Sequence, residues 1–170
     1  MPPRFLPVIR TLSNHRVDFI IIGGVAAVLG GAPVSTFDIN VVHACDPENV
    51  ERLLAALNEL EARDQFRPEF RPDASHLLSP GHQLLATRYG RLDVLGSAGQ
   101  GRGYAQLLPH SVEIELAPGL SVRVLDLATV ISLKEERGDE KDVAVLPTLR
   151  STLREKRSPT PVPPPCGAVD

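Results

Sequence analysis

The sequence predicts an α+β (α/β) fold, a mixed β-sheet with helices packed mainly on one face, and three observations carry that expectation. First, an apolar, β-branched run from Val17 to Ile22 leads into Gly23-Gly24 and a short helical stretch, and a second strand, Thr36 to Val42, follows: a strand-helix-strand unit. Second, two pairs of short apolar runs, Gln83–Thr87 with Arg91–Leu95 and Val112–Leu116 with Leu120–Val124, each flank a turn, Arg88-Tyr89-Gly90 and Pro118-Gly119. Such spacing makes antiparallel hairpins, which, combined with strand-helix-strand connections, give a mixed sheet. Third, residues 4–14 and 47–61 place apolar side chains at helical spacing, so each has one face to bury.

Taken in chain order, Phe5, Val8, Ile9 and Leu12 define a first helix ahead of the first strand. Gly23-Gly24 then allows the tight turn into a second helix. In the following strand, alternation points Phe37, Ile39 and Val41 one way and Asp38 and Asn40 the other. Asp46-Pro47-Glu48-Asn49 supplies an N-cap, Pro at the first helical position and an early acid. Val50, Leu53, Leu54, Leu57 and Leu60 continue that helix. Arg63 to Ser75, polar and holding Pro68 and Pro72, reads as a loop. Past the first hairpin, whose second strand holds Asp93, a short helix follows Gly103, then the second hairpin. Asp126 caps a helix carrying Leu127, Val130, Ile131 and Lys134, and Gly138 ends it. A last helix runs from Lys141 to about Lys156. The expected division is one domain over residues 1–157 and a Pro-rich tail, 158–170, that lies disordered or extended.

At 170 residues there is room for one sizeable core but not for two full domains. A formal charge of -3 and a pI near 6.0 exclude a bulk nucleic-acid coat protein while leaving room for a local basic patch. Cys45 and Cys166 have neither metal-type spacing nor the density of a disulfide scaffold. No signal-peptide core and no run of about 20 apolar residues is present, so no membrane partner is expected and the cytoplasm is the expected compartment.

The chemistry concentrates at Gly23-Gly24 and on the Asp38/Asn40 strand. A Gly pair lets backbone amides approach a phosphate, and neighbouring side-chain oxygens suit a hard cation such as Mg²⁺. Two readings stand for Asp38 and Asn40: ligands of such a site, or solvent-facing residues of an edge strand. The nearby Gly pair and Thr36 favour the first. Asp93 is likewise a ligand or an exposed strand residue. The histidines are scattered without ligand spacing, and Gly99-Gln100-Gly101-Arg102-Gly103 lacks the Lys-Ser/Thr of a P-loop and reads as a flexible connection beside the pocket. Arg150, Arg154, Lys156 and Arg157 read as a solvated helix end, with RNA guidance as the alternative.

Gly23-Gly24-Val25-Ala26-Ala27, Ser35-Thr36-Phe37-Asp38-Ile39-Asn40 and Leu92-Asp93-Val94-Leu95 together resemble the minimal nucleotidyltransferases of the polymerase-beta-like superfamily. Within that superfamily the chain resembles the small prokaryotic proteins related to abortive-infection and toxin–antitoxin nucleotidyltransferases, and the resemblance covers approximately residues 17–150. It implies a nucleotidyltransferase-like fold and metal-dependent transfer of a nucleoside monophosphate from an NTP to an acceptor hydroxyl on RNA such as tRNA, on protein or on a small molecule. It implies Mg²⁺, with Mn²⁺ as an alternative, held by carboxylates on adjacent strands. The match puts the first carboxylate at Asp38 and the third at Asp93, and the second falls on Asn40, which offers a neutral oxygen in place of an anion. Gly23, Gly24 and Thr36 fall in the nucleotide-binding part of the match. Lys134 and Lys141 fall where the family reaches the triphosphate, and Asp139 stands where an Arg is expected. Asn40 and Asp139 also fit a second expectation, a weakened or inactive descendant that binds nucleotide or a partner protein in a toxin–antitoxin-like system. A third is a small α/β interaction module with no nucleotide chemistry.

Overall fold

The computed structural model describes residues 4–158, and the expectation for the Pro-rich tail falls largely outside the described residues. The chain forms α1 (Phe5–Asn14), β1 (Phe19–Ile22), α2 (Gly23–Leu29), β2 (Asp38–His43), α3 (Pro47–Glu59), β3 (Arg63–Asp64), α4 (Ala74–Leu78), β4 (His82–Thr87) and β5 (Gly90–Leu95). It continues with α5 (Tyr104–Leu107), a 3₁₀ turn (Leu108–His110), β6 (Ser111–Ala117), β7 (Leu120–Leu125), α6 (Leu127–Arg137) and α7 (Glu140–Arg157). The strands make one mixed seven-stranded sheet in the order β3-β4-β5-β2-β1-β7-β6. The expected α+β fold is therefore the observed one.

Local sequence explains most of the element ends. Asp46 caps α3 by accepting from the Asn49 amide at 2.9 Å, and Pro47 opens the helix. Asp126 caps α6 by accepting from the Thr129 amide at 2.7 Å, and Gly138, left-handed at φ 64°, closes it. Both hairpins form, β4 with β5 and β6 with β7.

The sheet centre is the driest part of the molecule. All four residues of β1 are buried, and Ile20, Ile21, Ile39, Leu53 and Leu92 are fully so. At about 1.5–3 kcal/mol for each such side chain, this centre gives the fold its register. β1 runs antiparallel to β2 and parallel to β7, while β2 runs parallel to β5. The last pairing is the one that matters for the site, because it lays the polar face of β2 beside Asp93.

Two details differ from the sequence reading. Phe37 is 84% exposed, since β2 begins only at Asp38 and alternation does not extend to the residue before it. The polar 63–75 segment is not loop throughout: it contributes the edge strand β3 and, through a capping box at Asp73 and His76, the start of α4.

Candidate active site

The site is built on the register of two parallel strands. Asn40 of β2 pairs with Asp93 of β5, and Ile22, the last residue of β1, pairs with Asn40 on the other side. Asp38 shares the face of Asn40 by the two-residue period of the strand. Asp38, Asn40 and Asp93 are each only partly buried, while Ile39, Val41, Leu92 and Val94 between them are buried. This is a polar face on strands whose other face belongs to the core.

The Gly pair is required by this face. Gly23 adopts φ +66°, and a Cβ there would stand 3.1 Å from Nδ2 of Asn40. A Cβ on Gly24 would come within 2.6 Å of Oγ1 and 2.7 Å of Cβ of Thr36. Thr36 in turn donates to a carboxylate oxygen of Asp38 at 3.3 Å and to its backbone carbonyl at 3.2 Å. Gly23, Gly24, Thr36, Asp38 and Asn40 thus form one contiguous surface where β1 becomes α2. No side chain caps the first amides of α2.

Asp93 is held at high electrostatic potential energy. Burial, and then the negative charge of Asp38, push its pKa up to about 6, while the charges of Arg91 and Arg137 and a hydrogen bond from Gln65 pull the other way. Gln65 Nε2 donates to Asp93 Oδ1 at 3.2 Å and to the Leu85 carbonyl at 3.2 Å. Gln65 and Arg137 were missed by the sequence reading. Gln65 lies in the polar 63–75 segment, where the sequence predicts loop, and Arg137 stands two residues before the position at which an arginine is expected.

The two lysines fare differently from the strand residues. Lys134 Nζ is engaged at 2.6 Å by Asp142, which is nearly buried, and Arg137 Nε reaches the second oxygen of the same carboxylate at 3.5 Å. Lys141 is exposed on the first turn of α7 and makes no salt bridge among the described residues. Asp139 is paired with Arg137 at 2.8 Å. The 99–103 segment, expected to be flexible, is a tight turn closed by reciprocal 2.9 Å bonds between Ala98 and Arg102. It docks on α6 through Arg102 and Glu136.

Two carboxylates and one amide oxygen are a donor set for a hard divalent cation. Among the described residues no group of three or more His, Cys, Asp or Glu could hold a metal ion. Of that set Asp38 and Asp93 supply the charge and Asn40 a neutral oxygen. Burial raises Asp93 most, and the further repulsion from Asp38 is what a dication would relieve.

No protein-family model matches the chain, and no curated protein matches it in sequence. Solved structures do. A protein from Thermotoga maritima provisionally assigned as a nucleotidyltransferase superposes with a TM-score of 0.55 at 19% identity, covering 91% of this chain and 96% of that one. LnuA, a lincosamide antibiotic adenylyltransferase in its lincomycin-bound form, superposes with a TM-score of 0.63 at 12% identity, covering 89% of this chain and 98% of that one. At these identities the likeness is one of fold: the chain has the nucleotidyltransferase fold. No helix among the described residues is long and apolar enough to cross a membrane.

Proposed function

We propose that this chain is a metal-dependent nucleotidyltransferase that moves a nucleoside monophosphate from an NTP to an acceptor hydroxyl. The observation that supports this most is the register pair Asn40–Asp93, with Asp38 on the same face and the Gly23-Gly24 turn beside it. Asp38, Asp93 and the Asn40 carbonyl would hold one Mg²⁺ or Mn²⁺. That cation, when bound, would neutralise triphosphate charge and lower the pKa of the attacking hydroxyl. The amides that open α2 would face the phosphates, beside Thr36.

In the reaction the acceptor oxygen forms a bond to the α-phosphorus as the bond from that phosphorus to the α–β bridging oxygen breaks, and pyrophosphate leaves. The hydroxyl proton goes to solvent, and Asp93, as a ligand, would help hold the cation against the attacking oxygen. Arg137, paired with Asp139 and Asp142, would reach the phosphates only by exchanging those partners. Lys134, already neutralised by Asp142, would position α6 and reach the triphosphate only by exchanging that partner; Lys141 is free to serve as a second contact. The acceptor class is open to RNA, protein or a small molecule, the last because the fold neighbour LnuA is named for an antibiotic substrate.

A second reading is favoured by Asn40. With two carboxylates in place of three, the site carries less charge to hold a cation, which fits a weakened enzyme or a nucleotide- or partner-binding module of a toxin–antitoxin-like system. Transfer of label from α-³²P NTPs to cellular RNA and protein, with Asp93→Ala and Asn40→Asp beside the wild type, separates the two. Transfer by the wild type that Asp93→Ala abolishes supports the enzyme. Transfer seen only with Asn40→Asp supports the binding module.

A further inference from the structure

A groove of about 390 Å³ opens at the β3 edge of the sheet, lined by Arg63, Arg71 and Arg88 together with Gln65, Glu61 and Asp64. The three arginines are exposed, and none has a carboxylate partner among the described residues. Their hydrogen bonds go to neutral groups: Arg63 to the Pro68 carbonyl at 3.2 Å and Arg71 to Asn58 Oδ1 at 3.3 Å, while Arg88 lies over the Tyr89 ring at 4.9 Å. Of the two acids, Asp64 is already occupied, since it accepts from the Phe66 and Arg67 amides at 2.9 Å and pairs with Arg67 at 3.7 Å. In a chain with formal charge -3 this is a local excess of uncommitted positive charge.

The groove is joined to the candidate active site by one side chain. Gln65 lines the groove and donates to Asp93, so one hydrogen bond links the groove's lining to a carboxylate of the candidate site. Phe66, next in sequence to Gln65, is 77% exposed, a flat apolar surface on which a base can stack. Unpaired guanidinium groups match phosphate oxygens in charge and fork geometry, and the volume is on the scale of one nucleotide unit.

We propose that the Arg63/Arg71/Arg88 groove is the acceptor site and that its occupant is a single-stranded polynucleotide whose terminal hydroxyl is delivered past Gln65 to Asp93. The inference rests on the nucleotidyltransferase reading for the chemistry, but binding in the groove can be measured without it.

The test uses the full chain and a short 5′-fluorescein-labelled single-stranded RNA of mixed sequence, followed by fluorescence anisotropy at several salt concentrations. The Arg63→Gln/Arg71→Gln/Arg88→Gln variant should bind about tenfold or more weakly, and its log–log salt slope should fall by about 2, the value for three lost single-strand phosphate contacts. The corresponding triple Arg→Lys variant should bind within about threefold of wild type, because charge is kept. An Arg154→Gln/Arg157→Gln control, at the end of α7, should bind as wild type. Absence of RNA binding by the wild type, wild-type binding by the triple Gln variant, or equal loss in the control overturns the proposal. Loss in both triple variants with a lowered melting temperature also overturns it, by assigning the arginines to holding the 63–71 segment. A labelled acidic peptide bound in place of RNA, and lost in the triple Gln variant, overturns it in favour of a protein partner. Asp93→Ala should keep RNA binding; if that variant keeps nucleotide transfer as well, the catalytic reading and delivery to Asp93 fail, and only RNA binding in the groove stands.

Discussion

Gln65 and Asp93 meet at 3.2 Å across the edge of the sheet, and this bond favours the ionised form of a carboxylate that burial and Asp38 disfavour. Replacing Gln65 with Ala removes a contribution that lowers the Asp93 pKa. The carboxyl should then titrate above its present value of about 6. A ¹³C NMR titration of the Asp93 carboxyl in metal-free protein reads this directly, and an unchanged or lower midpoint would show that the amide contributes nothing.

Asp93 also sets a pH dependence of stability. Its folded pKa, about 6, lies above the ordinary 3.8, so between these values the folded state binds the proton more tightly and stability falls as pH rises. Above pH 6 the full cost of the ionised group is felt. Asp93→Asn keeps an oxygen for Gln65 and removes the charge, so the metal-free variant should be more stable at pH 8 by about 1 kcal/mol, a figure reduced for the solvent reaching this half-buried group. The gain should fade as pH falls through 6 toward 4. Urea unfolding at pH 8 and pH 4.5 checks the sign, and a constant difference would point to packing instead of charge.

Gly24 tolerates no Cβ without movement of Thr36, whose Cβ would be 2.7 Å away. Gly24→Ala should cost about 1–3 kcal/mol, as overpacking does. Gly23→Ala, at φ +66°, should cost about 1 kcal/mol for the left-handed backbone alone. Because Thr36 bonds Asp38, the Gly24 variant should also weaken nucleotide binding, measured by calorimetry on protein confirmed folded by circular dichroism.

Lys134 and Asp142 form a nearly buried pair at 2.6 Å. Lys134→Ala leaves the Asp142 carboxylate with Arg137 alone at 3.5 Å, and it should destabilise by about 2–4 kcal/mol. The Lys134→Ala/Asp142→Ala double variant should lose less than the sum of the two single changes. Lys141→Ala, on an exposed turn, should stay within about 0.5 kcal/mol of wild type. Equal effects at the two lysines would contradict the ion-pair account.

What the sequence made legible was local. The Asp46 and Asp126 caps, the Gly138 stop and both hairpins follow from nearest neighbours, and all five are found where the pattern places them. The strand motifs at 22–24, 38–40 and 93 were legible too, because turn chemistry and two-residue alternation fix which side chains share a face. The Asn40–Asp93 pairing was not, since it joins strands far apart in the chain through a parallel register that no local rule encodes. The phosphate role expected of Lys134 comes from the family resemblance; its pairing with Asp142 was not legible, because it crosses the turn between two helices, where helical spacing gives no sign of proximity. Gln65 was invisible for a simpler reason: a two-residue edge strand carries too few residues to show a period.

The central claim, that Asp38 and Asp93 hold a cation that in turn holds a nucleotide, is tested most directly by calorimetric titration of the full chain with each NTP. The titrations are run in Mg²⁺ and in chelator, with Asp38→Ala and Asp93→Ala alongside. The account predicts binding of at least one NTP in Mg²⁺ that is lost in chelator and in both variants. Binding that persists in chelator, or that both variants retain, would contradict it.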